Sequence, residues 1–249
     1  MKKMLLLLCS VFLLFACTTA FIYVSSDHAS FEFVLEAGLP SFSACGLADP
    51  DEAVVLDDEE ALNILTLLNR CQRLSRAFVP PDLSPLDVPT VRVLEGTHHL
   101  MRAEAARAAE LLFADADAAG LSLVASSAFR SYDWQVFLHE NAVAELGVDA
   151  ARRISAIPGH SEHQLGLALD VSTAELNGAL VTEFANTEEG KWLKDNAHRF
   201  GFIISYPEGS EPQTSFVYEP WHIRYVGLDA ANEIFESGLL FEAWLWSQV

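Results

Sequence analysis

The chain has 249 residues, 51% hydrophobic and 20% charged, a globular composition that excludes disorder as its main state. Four cysteines in so long a chain exclude a disulfide-stapled mini-protein. A formal charge of −20 repels phosphate backbones and anionic lipid, so no nucleic-acid partner is expected and any membrane attachment must be hydrophobic or covalent.

Lys2 and Lys3 precede an apolar run from Met4 to Ala16, the pattern of an export signal spanning residues 1–24. Leu14-Phe15-Ala16-Cys17 is similar to a bacterial lipoprotein cleavage box. The run resumes at Phe21-Ile22-Tyr23-Val24, so Leu5 to Val24 also reaches the ~20 residues of a membrane anchor. Lipoprotein, uncleaved anchor and simple secretion all place the main domain outside the cytoplasmic membrane. Residues 25–55, with Gly38, Pro40, Gly46 and Pro50, read as a linker or arm, and 56–249 as the main domain. Cys45 and Cys71 either pair in an oxidising compartment or stay free; spacing does not decide it.

Asp57-Asp58-Glu59-Glu60 places acids where a helix dipole favours them, so a short helix starts there. Pro80, Pro81, Pro85 and Pro89 mark an irregular stretch. Residues 101–119 predict an amphipathic helix with Leu111, Leu112 and Phe113 on one side, ended by Gly120. A strand over 121–125 follows, then a helix from Ser131 to Leu146 closed by Gly147. Glu189 to Phe200 is a helix, 202–206 a strand stopped by Pro207, and 230–237 another helix. Helices and strands mix without a βαβ repeat, which is α+β architecture.

Two segments carry candidate chemistry. From Leu165 to Val171 the residues alternate: Leu165, Leu167, Leu169 and Val171 toward a core, and Gly166, Ala168 and Asp170 toward the other face. The small residues beside Asp170 leave room for an ion, and His163 lies just before the strand. In Glu219-Pro220-Trp221-His222, Pro220 argues against a helix interior, so Glu219 and His222 meet through a turn or irregular strand. Two imidazoles and a carboxylate, His163, His222 and Asp170, suit catalytic zinc with a position left for water. Glu219 is then available as the general base. Either segment alone is more often a structural hydrogen-bond pair than a metal site. His160 and the other histidines read as surface or core polar groups.

The longer pattern resembles the zinc D-alanyl-D-alanine carboxypeptidases of the VanY type. Its parts are Ser127-Ala128-Phe129-Arg130-Ser131-Tyr132 with Gln135, then Pro158-Gly159-His160-Ser161-Glu162-His163-Gln164 through Gly166, Ala168 and Asp170, then Glu219 to Gly227. That group is related to VanX dipeptidases, lysostaphin-like peptidases and the Hedgehog signalling domain. The resemblance implies an α+β fold in which a small central antiparallel sheet carries the zinc site between flanking helices. It implies zinc held by His163, Asp170 and His222, with Glu219 as the base that activates water. Arg130 would stabilise the developing oxyanion. Ser161 and Gln135 would contact substrate or order the loop, and Trp221 would be a packing wall. Four positions depart from the usual pattern: Phe129 for Tyr, Leu165 for Thr, Ser205 for Arg and Ser215 for Gly.

The activity implied is removal of the C-terminal D-alanine from peptidoglycan stem peptides in the cell envelope, by a monomer attached to the membrane through its N-terminus. L,D-carboxypeptidase action on tetrapeptides, endopeptidase action on cross-links, and a non-catalytic zinc module that binds wall peptide or protein are the alternatives.

Overall fold

The computed structural model describes residues 52–90 and 98–249. The expected export segment, nearly all of the expected arm, and Cys45 lie outside the described residues. No helix among the described residues is long and apolar enough to cross a membrane. Cys71 is disulfide-bonded.

Two ribbons of two strands flank a larger sheet. Strand β1 (Val54–Val55) runs parallel to β2 (Gln72–Arg73), so residues read as the end of an arm pair with the main domain. Strand β3 (Leu83–Pro85) is antiparallel to β4 (Leu100–Arg102). The main sheet contains β5 (Leu123–Ser127), β6 (Ala168–Thr173), β7 (Phe202–Ile204) and β8 (His222–Tyr225). Its order is β5-β6-β8-β7, antiparallel throughout. The small antiparallel sheet with helices around it is the expected mixed architecture.

Strand β6 is buried along its whole length. Leu167, Leu169 and Val171 enter the main core with Leu165, as the alternation predicts. The strand itself starts at Ala168 rather than Leu165. Residues Glu162–Leu165 form a 3-10 turn, and Gly166 reverses the chain at φ +68° before β6 begins. This reversal needs glycine for its left-handed backbone, and a Cβ there would also push Leu83 Cδ2, 2.8 Å away, aside.

The helix Ala103–Ala118 buries Ala105, Ala106, Ala109, Leu112, Phe113 and Ala116. That spacing is one helical face, and burying Leu112 and Phe113 stabilises by about 1.5–3 kcal/mol each. Leu111 corrects the expectation that it shares this face: it is 64% exposed, because one residue along a helix is a rotation of about 100°. Gly120 ends the helix with φ +80°, while the Gly120 and Leu121 N–H groups close onto Asp117 O and Ala116 O.

The acidic run starts a helix at Asp58 with a capping box between Asp57 and Glu60, but it is over by Leu62. The helix Tyr132–Leu146 starts where expected, with Ser131 Oγ accepting from Trp134 N–H. A short helix Val148–Ile154 follows it without being anticipated. The helix read over 189–200 divides into an α-helix Glu188–Asn196 and a 3-10 turn Ala197–Phe200. Strand β7 stops at Ile204, two residues short of the expected span. The helices Leu228–Ser237 and Phe241–Ser247 form a second apolar cluster with Ile203 and Val226.

Gly190 is the tightest backbone approach. A Cβ there would meet the Phe184 carbonyl oxygen at 2.0 Å. Gly190→Ala is therefore expected to lower stability by about 1–3 kcal/mol, seen as a lower urea midpoint with an unchanged slope.

Candidate active site

The main sheet sets the site by register. Asp170 on β6 lies opposite His222 on β8, and on its other side pairs with Ser127 across a bulge in β5. The chain leaving β5 carries Arg130, whose N–H donates to His163 O at 3.2 Å. Glu219 and His222 meet through a turn closed by the His222 N–H on Glu219 O at 3.2 Å, as Pro220 suggested. One ligand atom from each of His163, Asp170 and His222 falls within 4.8 Å of the others, and all three residues are buried.

Each imidazole has one nitrogen committed away from Asp170. His163 Nδ1–H donates to Ala128 O at 2.6 Å, leaving Nε2 facing Asp170 Oδ2 at 3.3 Å. That Nε2 is buried and makes no hydrogen bond. His222 contacts Glu162 Oε2 through Nε2 at 2.9 Å and Asp170 Oδ1 through Nδ1 at 3.0 Å. The rings stand edge to face with centroids 4.9 Å apart. An orphaned buried nitrogen, a carboxylate and a second imidazole converging on one point is a donor set that fits a zinc ion.

The electrostatics divide the titratable groups. Burial alone would raise Asp170, but His163, His222 and Arg130 hold it well below the usual carboxylate range. Burial would likewise raise Glu162, yet His222, Arg224 and Ser205 bring it down to about 2. Burial, with Arg130 adding, pushes His163 down to about 4. For His222 burial acts the same way but is overcome by its bonds to Asp170 and Glu162, which raise it to about 10. Glu219 goes up to about 7, chiefly by burial; Asp170 and Glu162 add to this while His222 and Arg130 oppose it.

Arg130 spans the cluster. Its Nη2 donates to Asp170 Oδ2 at 3.4 Å and its Nη1 to Gln135 Oε1 at 3.2 Å. Gln135 is 1% exposed and spends its amide N–H groups on Ala156 O and Ser155 Oγ. Gln135 thus braces Arg130 from below, the ordering role that was one of its two expected places. Ser161 is buried at the start of the 3-10 turn, and its hydroxyl does not cap that turn. Trp221 packs against the main core. His160 lies apart, with Nδ1 on Asn69 O at 2.7 Å. The Tyr206 ring lies against His222, tilted by 30° with centroids 5.0 Å apart.

Residues 98–228 match the family model for VanY, D-alanyl-D-alanine carboxypeptidase. The chain belongs to the VanY family. It is 41% identical over 180 residues to YodJ of Bacillus subtilis (strain 168), covering 72% of this chain and 66% of that one. It is 37% identical over 132 residues to a D-alanyl-D-alanine carboxypeptidase of Enterococcus faecium, covering 53% of this chain and 39% of that one. The chain therefore spans less than two thirds of the length of these relatives.

Among solved structures, the LD-carboxypeptidase LdcB aligns with a TM-score of 0.73 at 39% identity, over 78% of this chain and 90% of that one. VanYB in complex with D-Alanine-D-Alanine aligns at 0.63 and 30% identity, over 74% and 98%. A VanY D,D-pentapeptidase in complex with Zn(II) aligns at 0.57 and 32% identity, over 73% and 98%. Zinc in that VanY structure agrees with the donor set found here.

Sequence reading passed over Glu162 and Arg224. Both carried a signal: Glu162 adjoins His163, and Arg224 stands between Ile223 and Tyr225 on a strand with no exposed residue. A further consequence concerns zinc uptake. With its pKa at about 10, His222 is protonated at neutral pH in the metal-free protein. Zinc must displace that proton, so binding is expected to release about one proton and to tighten as pH rises from about 6 to 8. Titration calorimetry in buffers of different ionisation enthalpy measures this; buffer-independent heats would contradict it.

Proposed function

We propose that the chain is a zinc-dependent carboxypeptidase that removes the C-terminal D-alanine from peptidoglycan stem peptides in the cell envelope. The observation that carries this reading is the convergence of His163, Asp170 and His222 beside a carboxylate and a guanidinium that no metal site needs for structure alone. His163 would offer Nε2, Asp170 a carboxylate oxygen and His222 its Nδ1. A bound zinc ion would supply Lewis-acid polarisation of the scissile carbonyl and a lowered pKa for water.

The chain's own groups do the rest. Glu219, raised by burial to about 7, is poised to accept a proton from the attacking water and pass it to the leaving amine near neutral pH. Arg130, held by Gln135 and Asp170, presents a fixed cation to charge developing on the scissile carbonyl oxygen. Pro158 to Gln164 supply the loop that carries His163, and Ser161, with Gln135 beneath Arg130, would contact substrate or order that loop. The Lys2-Lys3 pair and the apolar run behind it support export. Membrane attachment through that segment and a monomeric state complete the proposal.

Likeness to LdcB favours a second reading, release of D-alanine from tetrapeptide stems by an L,D-carboxypeptidase, since that alignment scores 0.73 against 0.63 for VanYB. Mass spectrometry of zinc-loaded protein with pentapeptide and tetrapeptide separately decides between the two. Loss of one alanine from pentapeptide, abolished by a chelator, is the expected result; loss from tetrapeptide alone selects the second reading. Cleavage of neither by folded, zinc-loaded protein selects a binding module. Glu219→Ala is expected to keep its zinc and lose about 10²–10⁴-fold in turnover. Arg130→Ala is expected to lose about 10²–10³-fold.

A further inference from the structure

Behind His222 lies a buried polar cluster that the reaction itself does not use. Glu162 is 4% exposed, one residue before His163 in the 3-10 turn. Its Oε2 receives the His222 Nε2–H at 2.9 Å and the Ser205 hydroxyl at 2.7 Å. Its Oε1 receives Arg224 Nη1 at 3.3 Å. Arg224 is fully buried, and its other N–H groups are fixed on Ile64 O, Thr66 O and Tyr225 O. The 3-10 turn thus carries a carboxylate on which β8 and the residue that follows β7 converge.

We propose that Glu162 is a positioning residue that keeps the His222 proton on Nε2, so that Nδ1 is the nitrogen that gives up its proton and ligates zinc beside Asp170 and His163. This rests on the zinc reading above and deepens it.

A neutral imidazole carries one N–H and one lone pair, so the nitrogen that donates decides which nitrogen can ligate. Without Glu162, the nearest carboxylate to His222 is Asp170, which faces Nδ1. A ring that donated Nδ1–H to Asp170 would turn its ligating nitrogen into a blocked one. Glu162 removes that choice from the far side of the ring. Arg224 and Ser205 serve the same end, since a buried carboxylate without counter-charge and donors would be costly. A bare Glu162–Arg224 ion pair would need only Oε1; the second oxygen is given to His222 and Ser205.

The test compares wild type, Glu162→Gln and Ser205→Ala by zinc competition against a chromophoric chelator, with long-range ¹H–¹⁵N spectra of the His222 ring in zinc-loaded wild type. Wild type that binds no zinc would defeat the zinc reading itself, a result separate from the outcomes for Glu162. With zinc bound by wild type, Glu162→Gln is expected to bind it about 10–100-fold more weakly, and Ser205→Ala to lose less in the same direction. The ring spectrum is expected to show the proton on Nε2. A folded Glu162→Gln protein with wild-type zinc affinity, even if less stable, would reduce Glu162 to a structural ion pair and overturn the proposal. So would a proton on His222 Nδ1. If Glu162→Gln does not fold, Ser205→Ala decides: zinc affinity equal to wild type in that variant would overturn the proposal.

Discussion

The carboxylate of Asp170 is the constraint on which the rest of the site depends. It lies in the middle of the central sheet with Arg130, His163 and His222 all on its two oxygens. A buried carboxylate is tolerated only where such partners surround it, and losing one partner of a buried ion pair typically costs about 3–5 kcal/mol. Each partner arrives on a different piece of chain: Arg130 after β5, His163 before β6, His222 at the start of β8. Asp170 therefore requires the β5-β6-β8 register and the 3-10 turn together. A slip of one residue in β6 would send Asp170 to the leucine face and end both the core and the site.

The pairing of β6 with β8 does this twice. Asp170 lies opposite His222, and Ala168 lies opposite Arg224. Ala168 is small, and Arg224 is the largest fully buried side chain among the described residues. The guanidinium spends its N–H groups on backbone carbonyls of Ile64, Thr66 and Tyr225, which ties the segment after the first helix to the sheet beneath the site. Polar groups buried here are satisfied by one another, and this satisfaction is what holds the imidazoles in place.

Much of this was legible in the sequence because it was periodic or local. The alternation through Leu165 to Val171 put Asp170 on the face away from the leucines, and Pro220 forced a turn between Glu219 and His222. What was missed depended on contacts between distant segments. Nothing near Glu162 in sequence tells that Ser205 and Arg224 will close on its oxygens. Gln135 could be placed in the motif but its partner could not: the helix that carries it sets its amide oxygen under Arg130. Ser205, which departs from the usual Arg, gives its hydroxyl to Glu162 Oε2. Ser215, which departs from Gly, adopts φ +65° without glycine's freedom, at a cost of about 1–2 kcal/mol. The turn keeps the backbone shape and loses the residue suited to it.

Burial is also what separates the roles of groups that are chemically alike. Two glutamates act on His222: Glu162, with a hydroxyl, an imidazole and a guanidinium on it, sinks to about 2, whereas Glu219, buried as well, rises to about 7. The two imidazoles diverge in the same way, His163 to about 4 and His222 to about 10. Pairs of like groups pushed apart by their surroundings mark the division between a group that must stay fixed and a group that must exchange a proton. Glu162 keeps its charge over the working range and so can hold a ring. Glu219 sits near neutrality and so can carry a proton in both directions. The hydrogen-bond partners, more than the residue types, therefore assign which glutamate does which.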